Sequence, residues 1–557
     1  KEKKFHLMHI FPIYAKKTLN TYFRFILLFS IYISAQSEHK IYEKPRLVVG
    51  IVVDQMKYEY IPKFWNKYGD NGFKKLVNQG FNAKNAHYSY AVTSTAPGHA
   101  TVVTGTTPNY HGIIGNEWFN PSLSKEIYCV DDFLQKSVGT LSDEGQKSPK
   151  NLQTTTISDE NRISSNFKAK TFSVALKDRS AVLSGGHTSE MSYWFNAKNE
   201  GKFITSSYYM NELPEWVKRF NERKNIQKYI SKWDTYYDIK LYDESGPDLN
   251  EHEIKYLGKN NSTFPYDLEK ISKTKNGKIN YDVIKYSPFG NDILKDFALN
   301  AIDYENLGKD EITDFLHIGF SSADHLGHRF GSNSVEVLDM YIRLDKNIED
   351  ILNYLDKNVG EKNYIVYLTS DHGITHVPSY LSENKVPFNQ LYSMNVFNEE
   401  LKKYIKDVSN YNVYLNKDRI DESGYSHDEI KALIKNELKK EPWVYDVYDF
   451  AQLDEAVSYS EDYGINMIYY NSHPDLRGDL AFFLKPLWHK KSSSASNHGT
   501  GRTYDTHVPL ILYGKGIRNG SSNKKIYVRD IAPTLSVILG INFTALSTGS
   551  PIISAIK

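Results

Sequence analysis

Six short stretches of this chain are apolar almost without interruption: RLVVGIVV (46–53), AVLSG (181–185), DFLHIGF (314–320), NYIVYLT (363–369), DLAFFL (479–484) and VPLILYG (508–514). A strand with one wet face alternates apolar and polar residues, whereas a strand covered on both faces does not. These runs therefore predict buried strands. Between them lie helical patterns such as SVEVLDMYIRLDKNIEDILNYLDK (334–357), with apolar residues at spacings of three and four and Ser334 placed as an N-cap. Strands alternating with helices predict an α/β fold with a mostly parallel central sheet flanked by helices.

A chain of 557 residues is too long for one ordinary core, so the sheet is expected to carry insertions. Two stretches break the strand–helix rhythm, 190–290, rich in Tyr, Lys, Asn and Trp, and 380–475. Both are expected as inserted caps. That divides the core into 44–189, 291–379 and 476–557. At the N-terminus Lys16, Lys17 and Arg24 precede the apolar FILLFSIYI (25–33) and then SAQ. This order predicts a signal peptide over 1–35, cleaved after Ala35, and a periplasmic or secreted protein. The run is short for a membrane span and no cysteine follows it, so no stable membrane anchor is expected.

The formal net charge of +1 gives no bulk attraction to nucleic acid. The expected partner is a small molecule and the expected state a monomer. Cys129 is the single cysteine, which excludes an internal disulfide and a thiolate metal cluster. Any metal here must be held by histidine and carboxylate.

In open α/β sheets ligands bind beyond the carboxyl ends of the strands. Asp54 follows RLVVGIVV, SSADHLGH with Asp324, His325 and His328 follows DFLHIGF, and SDHG with Asp371 and His372 follows NYIVYLT. His498, in SNHGTG, follows DLAFFL across a Lys/Ser-rich loop. Taken singly each is ambiguous, since a strand-end aspartate also serves as the cap of the next helix. Together, three aspartates and three histidines at one end of a sheet suit two borderline metal ions. Zinc is favoured, with manganese or iron as alternatives. A metal pair stabilises both the attacking and the leaving oxygen of a phosphoryl transfer.

The stretch YAVTSTAPGHATVVTG (90–105) then gains a use. Pro97 suits a first helical turn, which puts Thr95 at or beside an N-cap, next to free backbone N–H groups. A hydroxyl there, activated by a metal ion, is a nucleophile. Thr93 and Ser94 are rivals by position.

The set VVDQM, TSTAPGHATVVTG, GNEWF, LKDRS, SSADHLGH, TSDHG and HGTGRTYDTHVPLILYG resembles the alkaline phosphatase superfamily. Within it the set is most similar to the periplasmic, phosphate-irrepressible alkaline phosphatases with a threonine nucleophile, which share a type I phosphodiesterase/nucleotide pyrophosphatase-like core. The likeness runs in order over roughly residues 44 to 545. It implies Thr95 as nucleophile and two zinc ions per chain. One zinc would be held by Asp54, Asp371 and His372 and touch the Thr95 oxygen; the other would be held by Asp324, His328 and His498. It further implies Asn116 as donor to a phosphate oxygen, and Lys177 and Arg179 as the basic pair for the remaining oxygens. His507, in DTHVP, is the rival to His498, and His325 is expected to support rather than ligate. No C-x-P-S-R surrounds Cys129, which disfavours the sulfatase branch.

Lys177 and Arg179, two apart, are expected in an extended segment with both charges on one side. Three aspartates and a threonine alkoxide balance two divalent ions, and the basic pair then leaves a double positive charge. That matches a phosphate monoester dianion better than a diester. The expected function is hydrolysis of phosphate monoesters through a phosphothreonine. The alternatives are a phosphodiesterase or nucleotide pyrophosphatase on the same core, and an inactive binding protein.

Overall fold

A computed structural model of the chain describes residues 43–557 except 199, 252, 258, 260, 387–389, 459 and 491–493. The signal peptide expected over 1–35 lies outside the described residues. Residues Pro45–Lys557 form one unit.

The central sheet has ten strands. In chain order they are β1 (Leu47–Val53), β2 (Phe81–Ala83), β3 (Ser137–Val138), β4 (Thr171–Ala175), β5 (Met191–Asn196), β6 (Lys202–Ser206), β7 (Asp314–Phe320), β8 (Tyr364–Thr369), β9 (Leu510–Gly514) and β10 (Gly520–Ser522). Their order across the sheet is β10-β2-β9-β8-β1-β7-β4-β5-β6-β3. The middle five, β8, β1, β7, β4 and β5, run parallel. β9 and β6 flank them in the antiparallel sense.

The unbroken hydrophobicity of β1 has the expected cause. Leu47, Val49, Ile51 and Val53 pack into one core with Leu338, Ile342 and Leu344. Val48 and Val52 pack into another with Val102, Val103 and Leu535. Burying both faces leaves no position for a polar residue. The helix expected over 334–357 is present as Val335–Leu355, with Ser334 accepting from Val337 N at 3.2 Å.

Three expectations need correction. AVLSG (181–185) is not a strand; it lies in the helix Asp178–Gly185, and the strand is TFSVA just before it. Every residue from Ser180 to Gly185 is buried, and a short, fully buried helix carries the same apolar signature as a buried strand. DLAFFL forms the strand Leu480–Leu484, but outside the central sheet. It sits in a four-stranded antiparallel sheet with Ile405–Ser409, Asn412–Leu415 and Val444–Asp449. That sheet has its own core, including Val413, Ile434, Trp443 and Phe482. Lastly, the stretch expected as an insertion from 190 opens with β5 and β6, which belong to the central sheet. Among the described residues no helix is long and apolar enough to cross a membrane.

Candidate metal and phosphoryl-transfer site

Because β1, β7, β8 and β4 are parallel, their carboxyl ends meet along one edge. β1 pairs Val53 with Phe320 of β7 and Val52 with Thr369 of β8. This register delivers Asp54, the turn before Asp324 and the Asp371–His372 pair to one place. Two groups result: Asp54 with Asp371 and His372, and Asp324 with His328 and His498. In each, the ligand-type atoms lie within 4.8 Å of one another. Asp324 and His328 share a face of the helix α3 (Ser322–Phe330), with His328 Nε2 3.1 Å from Asp324 Oδ1. His498 Nε2 stands 3.5 Å from the same oxygen. The His372 and His498 rings stack with centroids 3.6 Å apart, so the two groups adjoin.

The donor atoms fit metal ions. All three histidines turn Nδ1 to a backbone carbonyl at 2.9 Å: His372 to Gly373, His328 to Ser496 and His498 to Thr93. Such a bond puts the proton on Nδ1 and leaves Nε2 with a lone pair for a metal. Asp54 Oδ1, Asp371 Oδ2 and His372 Nε2 are buried with no hydrogen-bond partner among the described residues. The electrostatics agree. Burial, then the neighbouring Asp54 carboxylate, push the Asp371 carboxyl up to about 7. Buried carboxylates this close are stable together only with added positive charge.

Thr95 is the first residue of the helix α1 (Thr95–Thr104), with Ser94 at the N-cap. The three rival hydroxyls separate here. Thr93 Oγ1 is committed, donating to Thr500 O at 2.7 Å. Ser94 Oγ is buried without a partner among the described residues. Thr95 Oγ1 lies 3.3 Å from Lys177 Nζ and 3.5 Å from Arg179 Nη2. Gly98 lets this helix approach, since a Cβ there would meet the Asp371 carbonyl oxygen at 2.2 Å. Asn116 Oδ1 accepts from Ala96 N at 2.9 Å, which holds the side-chain amide against the helix start and leaves its Nδ2 hydrogens as donors.

Lys177 and Arg179 converge as expected, by a different route. Lys177 is the extended N-cap of the helix α2 (Asp178–Gly185) and Arg179 lies in its first turn, so they are not two residues of an extended segment. Lys177 Nζ stands 2.6 Å from Asp54 Oδ2 and 2.6 Å from Asp324 Oδ2. Burial raises the Asp54 carboxyl, but this ammonium and the His372 ring together outweigh it and hold the group well below the usual range. Arg179 Nη1 donates to Tyr128 Oη at 3.1 Å, and that hydroxyl donates to Asp178 Oδ1 at 2.6 Å. A cleft of about 510 Å³ bordered by Tyr128, Lys177, Arg179, Trp194, Lys285 and His325 opens onto the basic pair.

His507 lies apart from both groups. Its ring stacks between Tyr58 and His87, and its Nε2 meets Lys84 O at 3.0 Å. His325 also stays out of them and packs on Tyr286. Cys129 is buried and burial pushes its thiol up, so it offers no thiolate. Sequence reasoning missed Gln55, whose Nε2 donates to Asp324 Oδ1 at 2.6 Å, and Tyr128 beside Arg179. Gln55 stood within the quoted VVDQM, next to Asp54; no local pattern marked Tyr128.

The family described as type I phosphodiesterase / nucleotide pyrophosphatase matches residues 48–507. Alkaline phosphatase PhoV of Synechococcus elongatus is 39% identical over 523 residues, covering 92% of this chain and 93% of that protein. A Myroides odoratus protein named calcium-transporting ATPase is 38% identical over 92% of this chain and 95% of its own. The crystal structure of alkaline phosphatase PafA, a protein of Elizabethkingia meningoseptica, superposes with a TM-score of 0.88 at 38% identity. It covers 92% of this chain and 99% of its own. A second PafA structure is of a mutant with a threonine changed to serine and an asparagine, a lysine and an arginine changed to alanine. With a matched span of this length and relatives this close over nearly the whole chain, the protein belongs to the type I phosphodiesterase / nucleotide pyrophosphatase family of the alkaline phosphatase superfamily.

Proposed function

We propose that this protein is an exported alkaline phosphatase that hydrolyses phosphate monoesters through a phosphothreonine at Thr95. The observation that carries this reading is the position of Thr95 Oγ1. It heads a helix, faces Lys177 and Arg179, and lies at the strand ends that bear both groups of metal-ligand residues. The names of PhoV and PafA support it. So does the PafA mutant, whose altered residue types follow the chain order of Thr95, Asn116, Lys177 and Arg179.

Two zinc ions bound by Asp54, Asp371 and His372, and by Asp324, His328 and His498, would supply Lewis acidity at the attacking and leaving oxygens. The chain's own residues do the rest. Thr95 Oγ1 attacks phosphorus, and the alcohol leaves toward the open cleft. Water then cleaves the phosphothreonine and restores the hydroxyl. In the first turn of α1, Ala96 N is taken by Asn116 Oδ1, Pro97 has no N–H and Gly98 N bonds Ser94 O, which leaves the N–H of Thr95 to face a phosphoryl oxygen at the helix start. Asn116 Nδ2 donates to one oxygen. Arg179, held by Tyr128, takes another, and a bound phosphoryl group draws Lys177 Nζ off the carboxylates onto a third. Two cations on the non-bridging oxygens favour a dianionic monoester. A diester brings one negative charge and a second substituent into the same space. Export rests on the basic and apolar order of residues 16–35, and Asp282 and Lys285 of the 190–290 stretch border the cleft.

The deciding experiment compares an aryl phosphate with a bis-aryl phosphate on purified protein of measured metal content. Higher kcat/KM on the monoester, lost selectively in Lys177→Ala and Arg179→Ala, supports the reading. Faster diester hydrolysis would make the protein a phosphodiesterase. Fewer than two metals per chain with no turnover on adding zinc would make it a binding protein.

A further inference from the structure

Asp505 lies in the short helix Thr503–Thr506, is fully buried, and belongs to neither group of metal-ligand residues. Its Oδ2 accepts twice from one residue, from Thr500 N at 2.8 Å and Thr500 Oγ1 at 2.7 Å. Arg502 N donates back to Thr500 Oγ1 at 3.2 Å, so the carboxylate closes a tight knot on the loop that begins at His498. This loop needs closing. Gly499 adopts φ +107°, and the segment runs outside the central sheet. Tyr411 Oη holds the Gly499 carbonyl at 2.7 Å, and Thr93 Oγ1 holds that of Thr500. Thr93 in turn offers its own carbonyl to His498 Nδ1 at 2.9 Å. The ring of His498 is thus aimed by Thr93 and held at its C-terminal side by Thr500, which Asp505 fixes. The backbone of Asp505 serves the other group, since its carbonyl accepts from Gly373 N at 2.7 Å, next to His372.

From this geometry we infer that Asp505 is a positioning residue for metal binding, and that its carboxylate acts on one ion and not the other. Loss of the side chain frees the Thr500 loop and with it His498. The carbonyl that holds Gly373 is backbone and survives any substitution. Binding at Asp324, His328 and His498 should therefore weaken while binding at Asp54, Asp371 and His372 persists. The inference rests on the proposed two-metal site.

The test titrates zinc into metal-stripped parent, Asp505→Ala, Asp505→Asn and Thr500→Val proteins against a chromophoric chelator, with bound metal counted per chain. The parent is expected to hold two ions. Asp505→Ala should keep one at parental affinity and bind the second about 10- to 100-fold more weakly, the usual cost of losing an outer-shell partner. Excess zinc should restore its activity. Asp505→Asn keeps an oxygen acceptor for Thr500 and should retain most of the affinity. If Asp505→Ala fails to fold, Thr500→Val decides: weakening of one site supports the inference, and two unchanged sites overturn it. Equal weakening of both sites in Asp505→Ala also overturns it. A parent that binds fewer than two ions would sink the two-metal reading instead, which keeps the two failures distinct.

Discussion

Gln55 and Asp324 are 269 residues apart in the chain, and Gln55 Nε2 donates to Asp324 Oδ1 at 2.6 Å. The backbone N–H of Gln55 meanwhile donates to Asp371 Oδ1 at 3.1 Å. One residue thus ties the two groups together, and it does so with φ +68°, a left-handed conformation that non-glycine residues rarely adopt. Such strain persists where the surroundings over-determine it. Gly327 makes room, since a Cβ there would fall 1.8 Å from Gln55 Oε1. A hydrogen bond to a charged group contributes about 1.5–3 kcal/mol. Gln55→Ala is therefore expected to lower kcat/KM by about 10- to 100-fold. Gln55→Glu, which sets a like charge against Asp324, should cost more. Steady-state kinetics at saturating zinc checks both, and parental activity in Gln55→Glu would refute this role.

Thr95 separates a nucleophile from a cap. Thr95→Ala leaves the helix start and Asn116 in place but removes the oxygen proposed to attack phosphorus. It is expected to abolish acid-stable labelling of the protein by a phosphorus-labelled monoester and to lower kcat by at least about a thousandfold. Thr95→Ser keeps a hydroxyl at the head of α1 and should retain labelling. Trapped phosphate on Thr95→Ala would move the assignment to Ser94, the neighbouring buried hydroxyl.

Metal removal should cost stability as well as turnover. Asp371, raised to about 7 by burial and by Asp54, marks a charge excess that bound cations relieve. Ligand binding to the folded state alone stabilises by about 2.7 kcal/mol at a hundredfold excess over Kd. Chelation is expected to lower the thermal midpoint and abolish hydrolysis, and zinc should restore both. Differential scanning fluorimetry with parallel assays reads this out. An unchanged midpoint would argue against occupied buried sites.

His317 predicts a pH dependence away from the site. It is 2% exposed in the middle of β7, held between Ser158 Oγ at 2.7 Å and Tyr367 Oη at 3.0 Å. Burial alone lowers its pKa to about 3 from an ordinary 6.5. The unfolded chain therefore binds a proton that the folded one refuses. This contribution to stability is fully present above pH 6.5 and is lost as pH falls toward 3, at about 1.4 kcal/mol per pH unit. Between about pH 7 and about pH 5 the parent should lose about 2 kcal/mol more than His317→Gln. Denaturant melts at the two pH values measure the difference, and parallel losses would rule it out.

Much of this was legible in the residues because the chemistry sits at strand ends. Asp54, Asp324, Asp371 and His372 each follow an apolar run that proved to be a central parallel strand. His498 lies beside Asp324 and His328 while His507 lies apart, although the strand that led to His498, Leu480–Leu484, belongs to another sheet. AVLSG misled because complete burial erases the difference between helix and strand periods.

Residue order decides which side chains follow each buried apolar run, since burial on both faces marks the runs themselves. Tertiary structure decides what those side chains meet. The pairing of Val53 with Phe320 brings Gln55 to Asp324, and the packing of Gly98 against Asp371 brings Thr95 to the edge. The turn of the chain at Asp505 fixes the Thr500 loop beside His498. These contacts depend on register and close approach between elements far apart in the chain, which no local pattern of residue types encodes.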